Sequence, residues 1–263
     1  MYEFDYQRPS SLSEAASMLS GEATLMAGGQ TLIPTLKQRL AMPSAVIDIG
    51  GIAELSGISA GGGSVSIGAT TRHAAVADSA DVKGAIPALA KLAEGIGDPQ
   101  VRNMGTIGGS IANNDPAADY PAAVVGLGAT VHTNKREIAA DDFFTGMFET
   151  ALAEDEIVTK VVFPVPEKAG YMKFPNPASR YAMVGVFVAQ AGGGVRVAVT
   201  GAGPSVFRVA DMESALAGNF SAAAIEGISV PSGGLNADIH GSAEYRAHLV
   251  GVMARRAVAE AGG

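Results

Sequence analysis

Gly105-Thr106-Ile107-Gly108-Gly109-Ser110 opens a polar stretch of the chain that continues to Pro121. The stretch shows little helical or strand periodicity, and it crowds hydrogen-bonding side chains next to glycines. That combination suits the pyrophosphate and ribose of a nucleotide, because glycine lets the backbone approach a bulky anion closely. An irregular surface loop is the alternative, although long connections without regular structure are usually functional or disordered. The side chains concerned are the hydroxyls of Thr106 and Ser110, the amides of Asn113 and Asn114, and the carboxylates of Asp115 and Asp119.

A second glycine pair, Gly28-Gly29, lies between a predicted strand at 23–27 and a predicted helix at 30–39. Thr31 is the predicted N-cap of that helix, and Pro34 falls in its first turn, where proline is tolerated. The first free N–H groups of the helix would then point at an anion bound by the glycines. A plain turn explains two glycines equally well, so the residues alone leave both interpretations open.

The remaining patterns indicate interspersed helices and antiparallel hairpins, which predict an α+β fold rather than a regular alternation of parallel strands and helices. Ser11 and Glu14 form a predicted capping box at the start of the first helix, 10–19. Thr70-Thr71 is the predicted cap of a helix that runs to Ala77, whereas 97–119 is predicted to be irregular. Further helices are predicted at 87–95, 120–127 and 242–261, strands at 46–49, 129–133 and 157–163, and glycine-centred hairpins at 58–69 and 182–200.

Four prolines, at 164, 166, 175 and 177, interrupt the pattern in the second half of the chain. Prolines clustered in this way are typical of a connection between domains. We therefore predict a first domain over 1–165, with subdomains of about 1–55 and 56–165, and a C-terminal domain over 168–263.

Composition argues against several classes of function. The chain has 263 residues, a net charge of −8 and no cysteine. An acidic balance with scattered Lys and Arg argues against nucleic acid as a partner. Without thiols the chain has no disulfide, cysteine nucleophile or thiolate-ligated iron–sulfur cluster, so redox chemistry must come from a bound cofactor or another subunit. No Gly-x-Gly-x-x-Gly lies between strand and helix, and no Gly-Lys pair exists for a P-loop.

The hydropathy pattern predicts no membrane span, because the apolar runs fall far short of the ~20 residues that one needs. The first residues, Met1 to Asp5, lack the basic and apolar regions of a secretory signal. We therefore expect a cytoplasmic protein.

His240, Glu244 and His248 recur every four residues and are predicted to share one face of the last helix. Their spacing differs from the His-Glu-x-x-His motif of metalloproteases. A solvated or subunit-contacting face therefore explains them better than a metal site. We predict neither a metal site nor a catalytic side chain in this chain.

Four segments, in order along nearly the whole chain, resemble the FAD-binding subunit of molybdenum hydroxylases, the medium subunit of the carbon monoxide dehydrogenase and xanthine dehydrogenase family. One such segment would carry little weight, but four in order at sensible spacing are specific. The segments are Ala27–Pro34, Thr106–Pro121, Pro177–Ala182 and Asp238–Arg246.

The resemblance implies the two-subdomain FAD-binding fold of the vanillyl-alcohol-oxidase (PCMH) type, followed by a small C-terminal α+β domain. It implies that the two glycine loops surround the FAD pyrophosphate and that Asp119 hydrogen-bonds the cofactor. Ile96 and Leu152 would be apolar neighbours of FAD, Lys173 a basic contact, and Tyr181 a residue near the flavin ring. The residues implied to bind FAD are Ala27, Gly28, Gly29, Gln30, Thr31, Ile96, Thr106, Ile107, Gly108, Gly109, Ser110, Asn113, Asp115, Asp119, Leu152, Lys173 and Tyr181.

The resemblance also implies a division of labour between subunits. Substrate would be oxidised at a molybdenum–molybdopterin centre on a large subunit, and electrons would pass through [2Fe–2S] clusters on a small subunit to FAD and an external acceptor. The expected assembly is a dimer of heterotrimers. A flavin suits the last step because it can accept electrons singly and release them in pairs. Two alternatives stay open: a self-contained FAD-dependent oxidase or reductase of the same fold, and a non-catalytic interaction module whose glycines only make turns.

Overall fold

The computed structural model describes all 263 residues, and it confirms the α+β prediction. The first part of the chain forms a small parallel sheet with strand order β1-β3-β2, and a short helix follows each of its first two strands. The hydroxyl of Ser11 caps the first helix by accepting a hydrogen bond from the N–H of Glu14 at 3.2 Å. A short 3-10 helix, Ala53–Leu55, ends this part. Its other elements are β1 (Asp5–Gln7), α1 (Leu12–Met18), β2 (Thr24–Met26), α2 (Leu32–Lys37) and β3 (Ala45–Asp48).

The middle of the chain forms a five-stranded antiparallel sheet, in the order β4-β5-β10-β6-β7, with a group of short helices packed against it. A separate two-stranded hairpin, β8–β9, follows the last of these helices. The elements are β4 (Ile58–Gly61), β5 (Ser64–Gly68), α3 (His73–Asp78), α4 (Ala80–Ala85), α5 (Pro87–Glu94), α6 (Pro99–Arg102), α7 (Ile107–Asn113), α8 (Tyr120–Gly126), β6 (Thr130–Thr133), β7 (Glu137–Ala139), α9 (Ala140–Phe143), β8 (Phe144–Gly146), β9 (Glu149–Thr150) and β10 (Val158–Pro164).

The last part of the chain forms a four-stranded antiparallel sheet in the order β11-β12-β13-β14, covered by the long final helix. The predicted hairpin at 182–200 is confirmed: Gly192 and Gly193 have φ of 57° and 77°, which a tight two-residue turn requires. A second 3-10 helix spans Ala222–Ile225. The elements are β11 (Lys168–Pro175), β12 (Ala182–Ala191), β13 (Gly194–Thr200), β14 (Phe207–Arg208), α10 (Ala210–Gly218) and α11 (Ala243–Glu260).

Three local predictions were wrong, the first only in part. The 97–119 stretch is irregular only in part, because it contains α6 and α7. Thr70-Thr71 does not cap α3, which begins at His73: the Thr71 hydroxyl is used by Gly57, whose N–H it accepts at 3.0 Å. His240 lies before α11, whose N-cap is Ser242, so it shares no helical face with Glu244 and His248.

The largest hydrophobic core crosses the position of the predicted domain boundary. Phe187 of β12 packs tightly against Gly126 of α8, where a Cβ would lie 2.9 Å from the Phe187 ring. Tyr171 and Ala198 of the last sheet belong to the same core as Val131 and Phe163 of the middle sheet. The last sheet is therefore packed against the middle of the chain, and the division into 1–165 and 168–263 stays a prediction.

None of the helices is both long enough and apolar enough to cross a membrane.

Candidate cofactor-binding site

A cavity of about 590 Å³ lies between the two glycine loops. This volume is within the range of about 300–1,000 Å³ that is typical of ligand sites. Its walls come from the β2–α2 loop, from α6 and α7, from the segment before β10 and from the loop after β11. The cavity therefore unites segments that are far apart in the sequence.

The first glycine loop keeps its backbone donors free. No N–H group from Ala27 to Leu32 donates a hydrogen bond to another protein group, although this segment lines the cavity. Gly29 has a φ of 67°, a conformation that glycine adopts without strain. Backbone N–H groups need acceptors, and a row of them at a helix start is suited to an anion.

The predicted position of the N-cap of α2 is confirmed, although no side-chain bond caps the helix. Thr31 stands at the N-cap of α2, but its hydroxyl makes no capping bond. Its carbonyl instead accepts the hydroxyl of Thr35 at 2.9 Å. The helix thus begins without a side-chain cap, and the amides at its start are left for a bound group.

The second glycine loop is the first turn of helix α7, and most of its donors are used by the protein. The N–H of Ile107 donates to the Thr71 carbonyl at 3.1 Å, and that of Gly108 donates to the Ala69 carbonyl at 2.8 Å. Thr106 caps the helix, because its hydroxyl accepts the N–H of Gly109 at 3.2 Å. This segment therefore shapes the wall rather than supplying a row of free backbone donors.

Asp119 is one of two buried carboxylates of the cavity wall, the other being Glu156. It accepts a hydrogen bond from the Tyr171 hydroxyl at 2.5 Å, and the ammonium of Lys173 lies 2.9 Å away. Burial raises the pKa of the Asp119 carboxyl, while Lys173 and Tyr171 act in the opposite direction. Both partners come from β11, so the last sheet supplies the surroundings of this acid.

Two other titratable side chains of the wall have fixed protonation states near neutral pH. His73 is only 5% exposed and its ring makes no hydrogen bond to the protein. Burial, helped by Arg102, lowers its pKa to about 4, so the ring is neutral. Glu156 accepts two hydrogen bonds of 2.9 Å from Arg136. Those bonds lower its pKa to about 2, so it stays ionised.

The loop between β11 and β12 closes another side of the cavity. The side-chain oxygen of Asn176 accepts hydrogen bonds from the N–H groups of Ala178 and Ser179. The backbone N–H of Asn176 donates to the carbonyl oxygen of Tyr181 at 2.8 Å. This arrangement presents Arg180 and Tyr181 to the cavity. Arg180 is the one Lys or Arg among the lining residues, which also include four carboxylates.

Fourteen of the seventeen sequence-predicted residues line the cavity. The other three lie elsewhere: the Ile107 side chain is fully buried in the core, Leu152 packs against that core, and Lys173 reaches the cavity only through Asp119. The sequence interpretation missed His73 and Glu156, for which no local pattern exists. It also missed Arg180, although the residue is the only cation in the segment Pro177–Ala182 that carried the resemblance.

The wall fits an anionic dinucleotide. Its anion-binding features are the row of unbonded backbone N–H groups and the single cation Arg180, while its side chains carry more negative than positive charge. Ser110 and Asn113, which carry a hydroxyl and an amide, line the same cavity. Amide and hydroxyl donors, which suit phosphate oxygens, thus outnumber the cationic side chains of the wall.

Comparison with known proteins identifies the family. Residues 2–166 match the family described as the FAD binding domain in molybdopterin dehydrogenase. The nicotine 6-hydroxylase medium subunit of Paenarthrobacter nicotinovorans is 37% identical, over 98% of this chain and 96% of the relative. The carbon monoxide dehydrogenase medium chain of Afipia carboxidovorans is 36% identical, over 98% of this chain and 96% of the relative.

The fold agrees with the sequence comparison. The structure of reconstituted CO dehydrogenase from Oligotropha carboxidovorans superposes with a TM-score of 0.89 at 34% identity, covering 99% of this chain and 98% of that chain. FAD is therefore the cofactor of this chain, and the predicted FAD-binding fold is confirmed. The chain belongs to the molybdenum hydroxylase family, as an FAD-binding oxidoreductase subunit similar to the carbon monoxide dehydrogenase medium chains.

Proposed function

We propose that this chain receives electrons from [2Fe–2S] clusters of a partner subunit and passes them, through FAD, to an external acceptor. A further partner would oxidise the substrate at a molybdenum centre, and the assembly would be a dimer of heterotrimers. The observation that carries the proposal is the cavity itself, which offers an unbonded row of backbone donors from Ala27 to Leu32. Of its titratable side chains, His73 is a neutral ring and Glu156 is an ion-paired carboxylate.

The residues proposed to hold FAD are the fourteen that line the cavity. The free N–H groups of the first loop would bind the pyrophosphate oxygens. The hydroxyl of Ser110, the amide of Asn113 and the carboxylate of Asp119 would bind polar groups of the sugar or ring, and Tyr181 would cover the ring. When bound, FAD supplies the capacity to take up electrons singly and release them in pairs.

Two features support the relay role over a self-contained enzyme. The chain has no cysteine, so thiolate-ligated clusters have to belong to other chains. Glu156 and His73, which would otherwise be candidates for proton transfer, have pKa values of about 2 and about 4, far from neutral pH. The family of subunits to which the chain belongs argues against the non-catalytic interaction module.

Substrate choice is proposed to lie with the partner that holds molybdenum. Relatives named for nicotine and for carbon monoxide are 37% and 36% identical to this chain. Sequence identity in this subunit therefore does not distinguish between the two substrates. The family match ends at residue 166, which supports the proposed division into 1–165 and 168–263.

The test is reduction of the flavin in the assembled complex. The native complex would be purified, mixed anaerobically with its substrate, and followed by the loss of flavin absorbance near ~450 nm. The same substrate added to the FAD-loaded chain alone should leave that absorbance unchanged. Bleaching of the isolated chain by an organic substrate would contradict the relay and favour a self-contained enzyme.

A further inference from the structure

The carboxylate of Asp119 is held from one side only. The Tyr171 hydroxyl, at 2.5 Å, and the Lys173 ammonium, at 2.9 Å, both reach the same oxygen, Oδ1. The other oxygen, Oδ2, receives neither bond, and Asp119 lines the cavity. The side chains of Asp119 and Lys173 are only 5% and 10% exposed, so water screens this pair weakly.

The same ammonium fastens a second part of the wall. Lys173 Nζ donates to the carbonyl oxygen of Gly95 at 2.8 Å. Gly95 is the C-cap of α5, where carbonyl groups carry partial negative charge and favour a cation. The next two residues, Ile96 and Gly97, line the cavity. One buried cation therefore joins the end of α5 to the acid at the start of α8.

We propose that Lys173 and Tyr171 are positioning residues for FAD, which hold Asp119 as an oriented carboxylate whose Oδ2 accepts a hydrogen bond from a hydroxyl or N–H group of the cofactor. They lie two apart on β11, so their side chains leave the same face of the strand. An ionised carboxylate is an acceptor only, so its partner on the cofactor has to be a donor. This role replaces the direct contact between Lys173 and FAD that the sequence led us to expect, and it rests on the proposed location of FAD in this cavity.

Charge explains why the cation is needed. Burial raises the pKa of the Asp119 carboxyl, and Lys173 is the group that lowers this pKa most. Without Lys173, burial would favour the protonated acid. The titratable and charged groups that face Asp119 are Lys173 and Tyr171 of β11, Tyr120 of α8, and Tyr181, which also faces Asp115.

The test is the dissociation constant of FAD for the full chain between pH 6 and pH 8.5. We expect Lys173→Met to bind FAD about tenfold more weakly at pH 6 and to recover as pH rises, because burial without the cation favours the protonated acid at the lower pH. Asp119→Asn should bind weakly at every pH. The double variant should bind FAD as Asp119→Asn does. At pH 8.5, where Asp119 of Lys173→Met is ionised and unpaired, the double variant should melt at a higher temperature than Lys173→Met. Lys168 lies on the same strand, but its ammonium contacts the carbonyl oxygen of Gly262 at 3.3 Å. The control variant Lys168→Met should therefore bind FAD with wild-type affinity at every pH.

Each other outcome has a defined meaning. A loss of affinity in Lys173→Met that is equal at all pH values, or a double variant that regains wild-type affinity, would overturn the positioning role in favour of a structural one. Wild-type affinity in Asp119→Asn would also overturn it, whereas a wild-type chain that binds no FAD would instead contradict the proposed cofactor site. Should Lys173→Met fail to fold, Tyr171→Phe removes one hydrogen bond and keeps the ion pair. We expect it to bind FAD a few-fold more weakly, and unchanged affinity would overturn the inference.

Discussion

Gly28 faces the carbonyl oxygen of Met104 so closely that a Cβ at residue 28 would lie 2.1 Å from it. The same Cβ would lie 2.7 Å from the Cα of Gly105. The two glycine loops thus pack backbone against backbone at one side of the cavity, and neither Met104 nor Gly105 can move away as a flexible side chain could. Glycine at 28 is required by the protein before any cofactor binds.

We expect Gly28→Ala to separate the loops. Overpacking of this kind costs about 1–3 kcal/mol of unfolding free energy, and FAD affinity should fall at least about tenfold because the row of free amides is displaced. Urea unfolding and FAD titration of the purified chain measure both effects. Gly84→Ala is the matched control: a Cβ there meets nothing within 4 Å, and Ala is favoured in a helix such as α4 by about 0.5–1 kcal/mol. Unimpaired FAD binding in Gly28→Ala would contradict the packing of the loops.

Thr106→Ala removes the cap of α7. The hydroxyl of Thr106 accepts the N–H of Gly109, so its loss should cost about 1 kcal/mol of stability. FAD affinity should fall as well, because Gly109 and Ser110 line the cavity. Ser79→Ala deletes an equivalent cap of α4, where Ser79 accepts the N–H of Val82 at 3.3 Å. That variant should lose similar stability in thermal melts and keep its FAD affinity, and equal losses of affinity in both would argue against a local role for α7.

His73 should make the FAD-free chain sensitive to mild acid. Its pKa is lowered from 6.5 to about 4 by burial, so between these values the unfolded chain binds a proton that the folded chain does not. Its contribution to stability is therefore complete above pH 6.5 and is lost as pH falls towards 4. From pH 7 to pH 5 the loss is roughly 2 kcal/mol. Urea unfolding of His73→Leu should show a smaller loss by about that amount, and parallel curves for the two proteins would contradict this account.

Arg136→Met tests the ion pair that Arg136 forms with Glu156 of the cavity wall. Glu156 has its pKa lowered from 4.5 to about 2, chiefly by hydrogen bonds from Arg136. The carboxylate thus stabilises the fold above pH 4.5, and this contribution is lost as pH falls towards 2. We expect Arg136→Met to lower the Tm by roughly 5 °C at pH 7. The Tm of this variant should also fall less steeply than that of the wild type as pH is lowered below 4.5. Lys135→Met breaks the neighbouring exposed pair with Asp155 and should change the Tm by about 1 °C. Equal shifts in the two variants would show that burial of Glu156 is unimportant.

Local patterns predicted those elements that local chemistry determines. The Ser11 cap and the Gly192-Gly193 turn depend on groups within a few residues of each other, and both are confirmed. Helix α7 escaped prediction because Gly108 and Gly109 are poor helix formers. Its first turn is held by the carbonyls of Thr71 and Ala69, far away in the sequence.

The site followed the same rule. Both glycine loops could be found from the sequence, but the reason for Gly108 could not: a Cβ there would lie 2.6 Å from the Cβ of Ala69, so contact with the protein excludes a side chain. The partners of Asp119 were equally hidden, since Tyr171 lies 52 residues further along the chain. No pattern within one segment reports a contact that only the folded chain creates.

The position of Tyr171 and Lys173 on β11 has a consequence for the order of events during synthesis. Proteins are made from the amino end, and their early parts begin to fold first. When residue 166 has left the ribosome, both glycine loops and Asp119 are present, but the cation that neutralises Asp119 is still to come. A nascent chain of that length would therefore lack the part of the cavity wall that pairs with this acid. We therefore expect FAD to bind late, after the strand that carries Lys173 has been made.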